Sequence, residues 1–283
     1  MADRIRIFFS TRFPDASGQW VSKVSFVDLS KDLSLQLEEP KHVWLPESSL
    51  GAFDEHGIFP FSVLPVGEEL WAYTTGWSRR VSVAVETGIG LAISRDDGRS
   101  FRRLGDGPVL TSSLHEPYLV GDGFVVRQEG EWLMYYIFGT AWTADQTTGR
   151  PERTYKSGYA VSKDGVTWAT SGTGPCVPSK LGTYESQALP TVVPWDGRYL
   201  MLFCYRETFG FRVGEPGGYR LGSATSIDGR VWSRDDNHAH VPRSSFDADM
   251  QCYPNTFLVD GELYLLYNGN EFGRHGFGAA KWT

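Results

Sequence analysis

Four acidic residues occupy comparable places in the sequence, each shortly before a segment typical of a β-strand. They are Asp54 in FDEHGIFP, Glu116 in HEPY, Glu185 in YESQALP and Asp249, accompanied by Asp247, in FDADMQCYP. Carboxylates gathered in a small concavity repel one another, so the pKa of at least one rises while the pKa of another stays low. Such a pair can serve as general acid and general base, and glycosidic bond cleavage uses a pair of this kind.

Three related turn sequences set the register of these acids: SRDDGRSF from Ser94, SKDGVTW from Ser162 and SIDGRVW from Ser226. Glu116, Glu185 and Asp249 follow the three serines by 22, 23 and 23 residues. Nearly equal offsets predict equivalent positions in successive repeats. If first strands line a common axis, the four acids should converge at the mouth of a channel. The alternative is that the acids cap loops by binding backbone N–H groups, or bind a cation on the axis.

Each turn sequence joins two strand-like segments, and a second pair of such segments lies between successive copies. In the turn, Asp and Gly favour the backbone conformation that reverses the chain, and the aromatic residue fills the gap between repeats. Three whole repeats with a partial unit at either end predict an all-β fold, a five-bladed β-propeller of four-stranded antiparallel blades. One domain, 1–283, is expected, with blades at about 1–46, 47–110, 111–178, 179–242 and 243–283. One way to close the ring is for N-terminal residues to complete the last blade.

Composition and charge limit the class of partner. Aromatic residues make up 14% of the chain, with 32 Gly and 15 Pro, which favours many short strands and turns. A net charge of −7 argues against a nucleic-acid or anionic-membrane partner, because either needs a clustered cationic surface. The start, MADRIRIFFS, has no long apolar segment, and three cysteines have no metal-ligand spacing. A cytoplasmic location is therefore expected.

The loops that follow the second strands are long, and we expect a small-molecule or oligosaccharide ligand on that face. Sugar recognition needs flat aromatic faces and polar groups for the hydroxyls. Trp77 and Trp142 occupy equivalent places in these loops, although each can also be a packing residue. The other candidate substrate-binding residues are His56, His115, Arg206, Asp249, Asn270 and Glu271.

No metal site or cofactor is predicted, because His56, His115 and His275 lack metal-ligand spacing. Their expected role is hydrogen bonding to the acids or to the substrate, with a divalent ion on the propeller axis as the alternative.

Cations outnumber acids in the same loops and in the N-terminal one, which suggests an anionic group on the ligand, such as a uronate or a phosphate. The cations are Arg12, Arg79, Arg80, Arg150, Arg153, Lys156, Arg206, Arg212 and Arg274. A solvated rim of mixed charge is the alternative.

The chain resembles the five-bladed β-propeller glycoside hydrolase superfamily that includes families 43, 32, 68 and 130. FDEHGIFP, TGW, EPY, SGYAVSKDG, CYP and YNGNEFGRHGFG are similar to a family-43/32-like branch from bacterial surface-polysaccharide or secondary-metabolite gene clusters. The resemblance implies that Asp54 is the base that activates water, that Glu116 orients and tunes the pair, and that Glu185 is the general acid. Two features depart from family 43: Glu116 stands where Asp is usual, and Glu-His-Gly follows Asp54.

The sequence thus predicts a carbohydrate-active enzyme of glycoside hydrolase type that cleaves or transfers a glycosidic bond, with Asp54 and Glu185 as its reactive pair. Two alternatives stay open. One is a non-catalytic glycan-binding propeller, and the other is a non-hydrolytic acid/base enzyme, an isomerase, lyase or cyclase, that acts on a small metabolite.

Overall fold

The computed structural model describes residues 4–128, 130–213 and 217–282, and its strands form five antiparallel sheets. The first sheet contains β1 (Ile5–Pro14), β2 (Trp20–Leu29) and β3 (Lys41–His42). The second contains β4 (Ile58–Val66), β5 (Glu69–Arg79), β6 (Val85–Ser94) and β7 (Arg102–Arg103). The third contains β8 (Val120–Gln128), β9 (Glu131–Ala144), β10 (Pro151–Ser162) and β11 (Ala169–Thr170).

The fourth sheet contains β12 (Glu185–Trp195), β13 (Arg198–Glu207), β14 (Arg220–Ser226) and β15 (Ser233–Arg234). The fifth contains β16 (Cys252–Val259), β17 (Glu262–Asn268) and β18 (Phe277–Lys281). The helical segments described are two 3-10 turns and one short helical turn: Phe211–Val213, Asp236–Ala239 and Asn270–Gly273. The predicted five-bladed β-propeller is confirmed, with four strands in the three central blades and three in the first and last.

The strands of each blade follow chain order from the axis outward, and the first strands of neighbouring blades contact one another. Thus β4 contacts β8, β8 contacts β12, and β12 contacts β16. This arrangement places the heads of the first strands around a common channel, on the face that also carries the loops after the second strands.

The repeated turns hold neighbouring blades together. In two of them the glycine carbonyl accepts a hydrogen bond from a tyrosine of the preceding blade: Tyr73 Oη donates to Gly165 O at 2.7 Å, and Tyr135 Oη donates to Gly229 O at 2.8 Å. Phe101 and Trp232, the aromatic residues of two turns, are buried in cores between blades. The structure therefore gives these turns the packing role expected from their composition.

The ring closes by side-chain packing between the first and last blades. Ile7 and Val27 of the first blade pack with Leu266 of the last, and Phe9 contacts Phe277 with ring centroids 6.3 Å apart. Strands β1 to β3 form a sheet of their own, so within the described residues no hydrogen-bonded ladder joins the two blades. An apolar seam therefore closes the ring, and the N-terminal strands do not complete the last blade.

This seam leads to a prediction for Leu266→Ala. Leu266 is 8% exposed at the seam, whereas Leu258, in β16 of the same blade, is 48% exposed. Removal of a buried leucine side chain costs about 2–5 kcal/mol, through lost burial and the cavity that remains. We expect urea unfolding to show a loss of this size for Leu266→Ala and a loss below about 0.5 kcal/mol for Leu258→Ala. Equal midpoints for the two variants would show that the seam adds no more stability than a surface contact.

Candidate functional site

Asp54 lies in the loop between β3 and β4 and is only 1% exposed. Its carboxylate accepts a hydrogen bond from Arg103 Nε at 2.7 Å and another from the Ser48 hydroxyl. Arg103 belongs to β7, the outermost strand of the same blade, and also donates to the carbonyl of Pro46 at 2.5 Å. The ion pair therefore ties the loop that crosses the blade to the blade's outer edge.

Glu185 has an equivalent arginine partner. Its Oε1 accepts from Arg234 Nη1 at 2.7 Å and from Gln187 Nε2 at 2.8 Å. Its Oε2 accepts from the backbone N–H groups of Lys180 and Leu181 at 2.7 and 2.8 Å. Burial raises the pKa of Glu185. The hydrogen bonds from Gln187, Leu181 and Lys180 and the charge of Arg234 lower it by more than burial raises it, so the pKa lies below its ordinary value. Glu185 is an ionised carboxylate that already accepts four hydrogen bonds.

In the fifth blade the buried acid is Asp247, not Asp249. Asp247 accepts hydrogen bonds from Gln251 Nε2 at 2.7 Å and from Tyr267 Oη at 3.1 Å. Asp249 is exposed, and its backbone N–H donates to Asn270 Oδ1 at 2.8 Å. The offset from the repeated serine therefore selects a residue two positions after the buried acid.

Glu116 lacks the arginine that Asp54 and Glu185 have. It is 8% exposed, and its Oε1 accepts from Tyr136 Oη at 2.8 Å, while its buried Oε2 has no partner among the residues described. Thr170 of β11 occupies the position that Arg103 and Arg234 occupy in the second and fourth blades. Each of these three residues pairs with an alanine of the third strand in its own blade. Burial raises the pKa of Glu116, and the hydrogen bond from Tyr136 and the nearby His115 oppose this only partly.

The contacts of Asp54 and Glu185 tie loops to their own blades, and the partner of Glu116 also lies in its own blade. These contacts match the alternative in which the acids cap loops. The catalytic roles that the resemblance implies for the three acids stay predictions.

Because Glu116 has no arginine partner, we predict that the unfolding free energy of the protein depends on pH. A carboxyl whose pKa is raised on folding stabilises the fold below its unfolded pKa, and this contribution is lost as the pH rises through the folded pKa. We therefore expect the unfolding free energy of the wild type to fall relative to that of Glu116→Gln as the pH rises above 4.5, the ordinary pKa of this side chain. Thr170→Arg should abolish the fall, because it supplies the cation found in the other blades. Urea unfolding across this pH range measures both effects, and parallel curves for wild type and Glu116→Gln would contradict the assignment.

A β-bulge at the head of the first strand in four of the five blades builds the channel mouth. The pairing of first and second strands shifts register at the same place in four blades, where two residues stand out of the ladder: Phe59 and Pro60, Asp122 and Gly123, Leu189 and Pro190, Tyr253 and Pro254. The first bulge residue has a left-handed backbone in three of them, with φ of 58° at Asp122, 47° at Leu189 and 57° at Tyr253. Bulges of this kind redirect a side chain.

Asp122 is the single carboxylate at these four positions. Its backbone N–H donates to Thr75 Oγ1 of the preceding blade at 2.7 Å, and its Oδ2 accepts from the backbone N–H of Leu189 in the following blade at 3.1 Å. It is 9% exposed, and burial raises its pKa to about 6, against the opposing effects of the Leu189 bond and the charge of Arg153. Asp122 is therefore a carboxylate that can exchange a proton near neutral pH.

Two arginines face the same region. The guanidinium of Arg12 lies over the rings of Phe59 and Trp77, at 5.0 and 5.9 Å from their centroids, and that of Arg153 lies 5.9 Å from the centroid of Tyr155. The surrounding protein lowers the pKa of Arg12, Tyr253 opposes this, and the charge of Arg153 adds to it. Among the residues described, neither guanidinium has a carboxylate within ion-pair distance.

We call Arg12, Phe59, Asp122, Arg153 and Tyr253 the mouth cluster. Its members come from the first, second, third and fifth blades, and the fourth contributes the Leu189 N–H. Tyr253 interacts electrostatically with Asp122 and with Arg12. Contacts that cross so many blades can form only around the axis.

Most of the other predicted cations of this face bind carboxylates or other oxygens of the protein. Four pair with carboxylates: Arg79 with Asp15, Arg80 with Glu86, Arg212 with Glu152 and Arg274 with Glu271. Lys156 donates to Ser179 Oγ at 2.7 Å. Arg206 is buried against the ring of Phe211 and donates to Tyr155 Oη at 3.0 Å. Arg150 is exposed beside the 145–149 turn.

The remaining candidate binding residues mostly have structural contacts. Trp77 is buried, its Nε1 donates to Ser22 Oγ at 3.2 Å, and the ring of His56 lies 5.5 Å from it. Trp142 is half-buried against the core between the fourth and fifth blades. His115 and Glu271 are exposed. Among the residues described, Trp77 also touches the mouth cluster, through Arg12 and Phe59.

Asp122 was not among the residues selected from the sequence. A usable signal is present nevertheless. Phe-Pro, Leu-Pro and Tyr-Pro recur a few residues after the acids of three blades, and Asp122-Gly123 takes the same place in the remaining one.

Two further observations concern ions and membranes. In the described part of the chain, no group of three or more His, Cys, Asp or Glu side chains lies close enough together to hold a metal ion. No helix in that part has the length and apolarity needed to span a membrane.

The fold defines a class, the five-bladed β-propellers. A solved complex of BT0996 with RGII has a TM-score of 0.70 at 15% identity, and the match covers 98% of this protein and 88% of that one. A thermostable family-43 glycoside hydrolase has a TM-score of 0.67 at 12% identity, with 98% and 90% covered. Sucrose-6-phosphate hydrolase from Lactobacillus gasseri has a TM-score of 0.67 at 14% identity, with 95% and 52% covered. At these identities the likeness shows the fold.

Sequence comparison places the chain more narrowly. No protein-family profile matches it. Two proteins of Mycobacterium tuberculosis, Uncharacterized protein MT1551 of strain CDC 1551 / Oshkosh and Uncharacterized protein Rv1502 of strain ATCC 25618 / H37Rv, are each 32% identical to it over 283 residues. Each alignment covers 98% of this chain and 88% of the relative. The chain belongs to the family of these two proteins.

Proposed function

We propose that the protein is a carbohydrate-active enzyme that binds its substrate at the channel mouth and uses Asp122 for proton transfer. The observation that carries this proposal is the position of Asp122, a buried carboxylate with a pKa raised to about 6 at the centre of the mouth cluster. A general acid or base works best when its pKa lies near the operating pH. The glycoside hydrolase fold supports a carbohydrate as the ligand.

The geometry of Asp122 suits proton exchange. Leu189 N–H holds Oδ2, and among the described residues no hydrogen-bond donor is in range of Oδ1. The left-handed backbone and the bond from its N–H to Thr75 fix the carboxylate in place. A substrate in the mouth would meet Oδ1 of Asp122, an oxygen with a fixed orientation. The carboxylate is mostly ionised at pH 7.

The number of carboxylates at the mouth bears on the reaction. Glycoside hydrolysis ordinarily uses two carboxyl groups on either side of the bond. Of the four bulge positions only Asp122 is acidic, and Glu185 already accepts four hydrogen bonds. The geometry therefore favours a non-hydrolytic proton transfer, as in an isomerase or lyase, over the Asp54 and Glu185 pair that the resemblance implies.

Product mass distinguishes these reactions. Wild type is incubated in ¹⁸O-water with RGII-derived oligosaccharides, sucrose 6-phosphate or sucrose, and the products are analysed by mass spectrometry. Hydrolysis incorporates ¹⁸O, elimination produces an unsaturated fragment without ¹⁸O, and isomerisation leaves the mass unchanged. We expect conversion without ¹⁸O, and we expect Asp122→Asn to lower turnover by about 10²- to 10⁴-fold, the usual contribution of a general acid or base.

Glu185→Gln is the matched control for Asp122→Asn. It should alter stability through its loop and leave turnover within about tenfold of wild type, because the amide oxygen can still accept from the backbone N–H groups. Loss of turnover in a folded Glu185→Gln protein, with Asp122→Asn active, would return the chemistry to the pair implied by the resemblance. Ligand binding without any product would instead identify a glycan-binding propeller.

The pH profile identifies the role of Asp122. A general base must be ionised, so kcat/KM should rise through pH 6, whereas a general acid must be protonated, so kcat/KM should fall there. We expect a rise, because the ionised form predominates at neutral pH. Asp122→Asn should remove this limb from whatever activity remains, and an unaltered limb near pH 6 in that variant would assign the titration to another group.

A further inference from the structure

We propose that Arg12 and Arg153 form a subsite for an anionic group, so that the substrates are sugars that carry a phosphate or a carboxylate. This inference rests on the proposed function in one respect, that the mouth is where the ligand binds. It adds the chemical class of the substrate and the side of the mouth that recognises it.

The first argument is the lack of partners. Four cations of this face pair with carboxylates, and Arg206 and Lys156 donate to protein oxygens. Within the residues described, Arg12 and Arg153 have only aromatic contacts through their guanidinium groups. On a chain with a net charge of −7, two arginines without ion pairs beside the axis form a local positive region.

The second argument is their mutual repulsion. The charge of Arg153 disfavours the charged form of Arg12, and the only nearby acid of the mouth cluster, Asp122, accepts its hydrogen bond from Leu189 and not from either arginine. With Asp122 as the one acid of the mouth cluster, the two guanidiniums leave an excess of positive charge in the free protein. A bound anion offsets this excess charge.

The third argument concerns the geometry of recognition. Rings of Phe59 and Trp77 lie against Arg12, and the ring of Tyr155 lies against Arg153. An arginine stacked on a ring keeps its N–H edge free, and this edge matches the two oxygens of a carboxylate or phosphate. The same aromatic surroundings offer apolar contact to a sugar ring.

Asp122 sets the orientation of the ligand. Its ionised carboxylate repels an anion, so the anionic group of the ligand lies against the guanidiniums and away from Asp122. The remainder of the sugar then lies over Asp122 and Tyr253, where the proton transfer takes place.

Paired probes test the subsite by calorimetry. Sucrose 6-phosphate is compared with sucrose, and D-glucuronate with D-glucose, for wild type, Arg12→Met, Arg153→Met and the control Arg274→Met. We expect wild type to bind at least one anionic probe ten or more times more tightly than its neutral counterpart, and to lose this preference as salt is raised. Arg12→Met and Arg153→Met should each reduce the preference to about threefold or less. Arg274→Met, an exposed cation of the same face that pairs with Glu271, should preserve it.

The outcomes separate the ligand sources and the two proposals. Preference for sucrose 6-phosphate alone identifies a phosphate ligand, and preference for D-glucuronate alone identifies a carboxylate. Equal binding of anionic and neutral probes, no binding of any probe, or an equal loss in Arg274→Met would overturn the subsite. Arg12→Lys keeps the charge without the paired N–H edge, so it should retain part of the preference and guards against a folding defect in Arg12→Met. Asp122→Asn should keep the anion preference while turnover falls, so the failure of one proposal is distinguishable from the failure of the other.

Discussion

The β-bulge at the head of the first strands determines which side chains reach the channel mouth. A first strand is an edge strand, because it pairs with its own second strand and turns its other edge to the axis. At an edge, a residue can leave the ladder without breaking the sheet, and a proline can follow it, since no N–H is needed there. The left-handed backbone of Asp122, Leu189 and Tyr253 costs roughly 1–3 kcal/mol each, which the surrounding sheet must offset. Because of these bulges, side chains from successive blades lie in one small region at the channel mouth.

A second repeated device holds the loops above this region. Each of two blades places an arginine on its short outermost strand, where it reaches back to an acid in the loop that enters the first strand. Removing a single partner from a buried pair of this kind typically costs about 3–5 kcal/mol, because the other charge is left without compensation. The contacts of these acids thus hold loops in place. Glu116 shows what happens when the arginine is missing, since its pKa rises.

The sequence was sufficient to predict the fold, because the turn repeats carry the packing between blades and recur with a nearly fixed period. The same equivalence correctly indicated that Asp54, Glu116 and Glu185 occupy related places. It could not indicate where each side chain points, because a loop residue at the same distance from the repeated serine can point to the axis or to the outer strand. Asp249 shows the limit of counting, since Asp247 is the buried acid of its blade. Asp122 was hidden because a bulge changes which residues face the axis, and a bulge depends on pairing between strands that no local pattern records.

The mouth cluster combines one carboxylate and two guanidiniums within a ring of aromatic side chains, and its charge balance limits what can bind there. A neutral sugar would leave the two guanidiniums with Asp122 as their one counter-charge within the mouth cluster. A dicationic ligand would meet two like charges and one acid. An anionic sugar neutralises the arginines and places its uncharged part beside Asp122, whose pKa near 6 depends on burial that a bound ligand would increase. Burial by a bound ligand would raise the pKa of Asp122, and an anion beside it would raise that pKa further. In the proposed site the arginines hold the anion away from Asp122, which limits the rise.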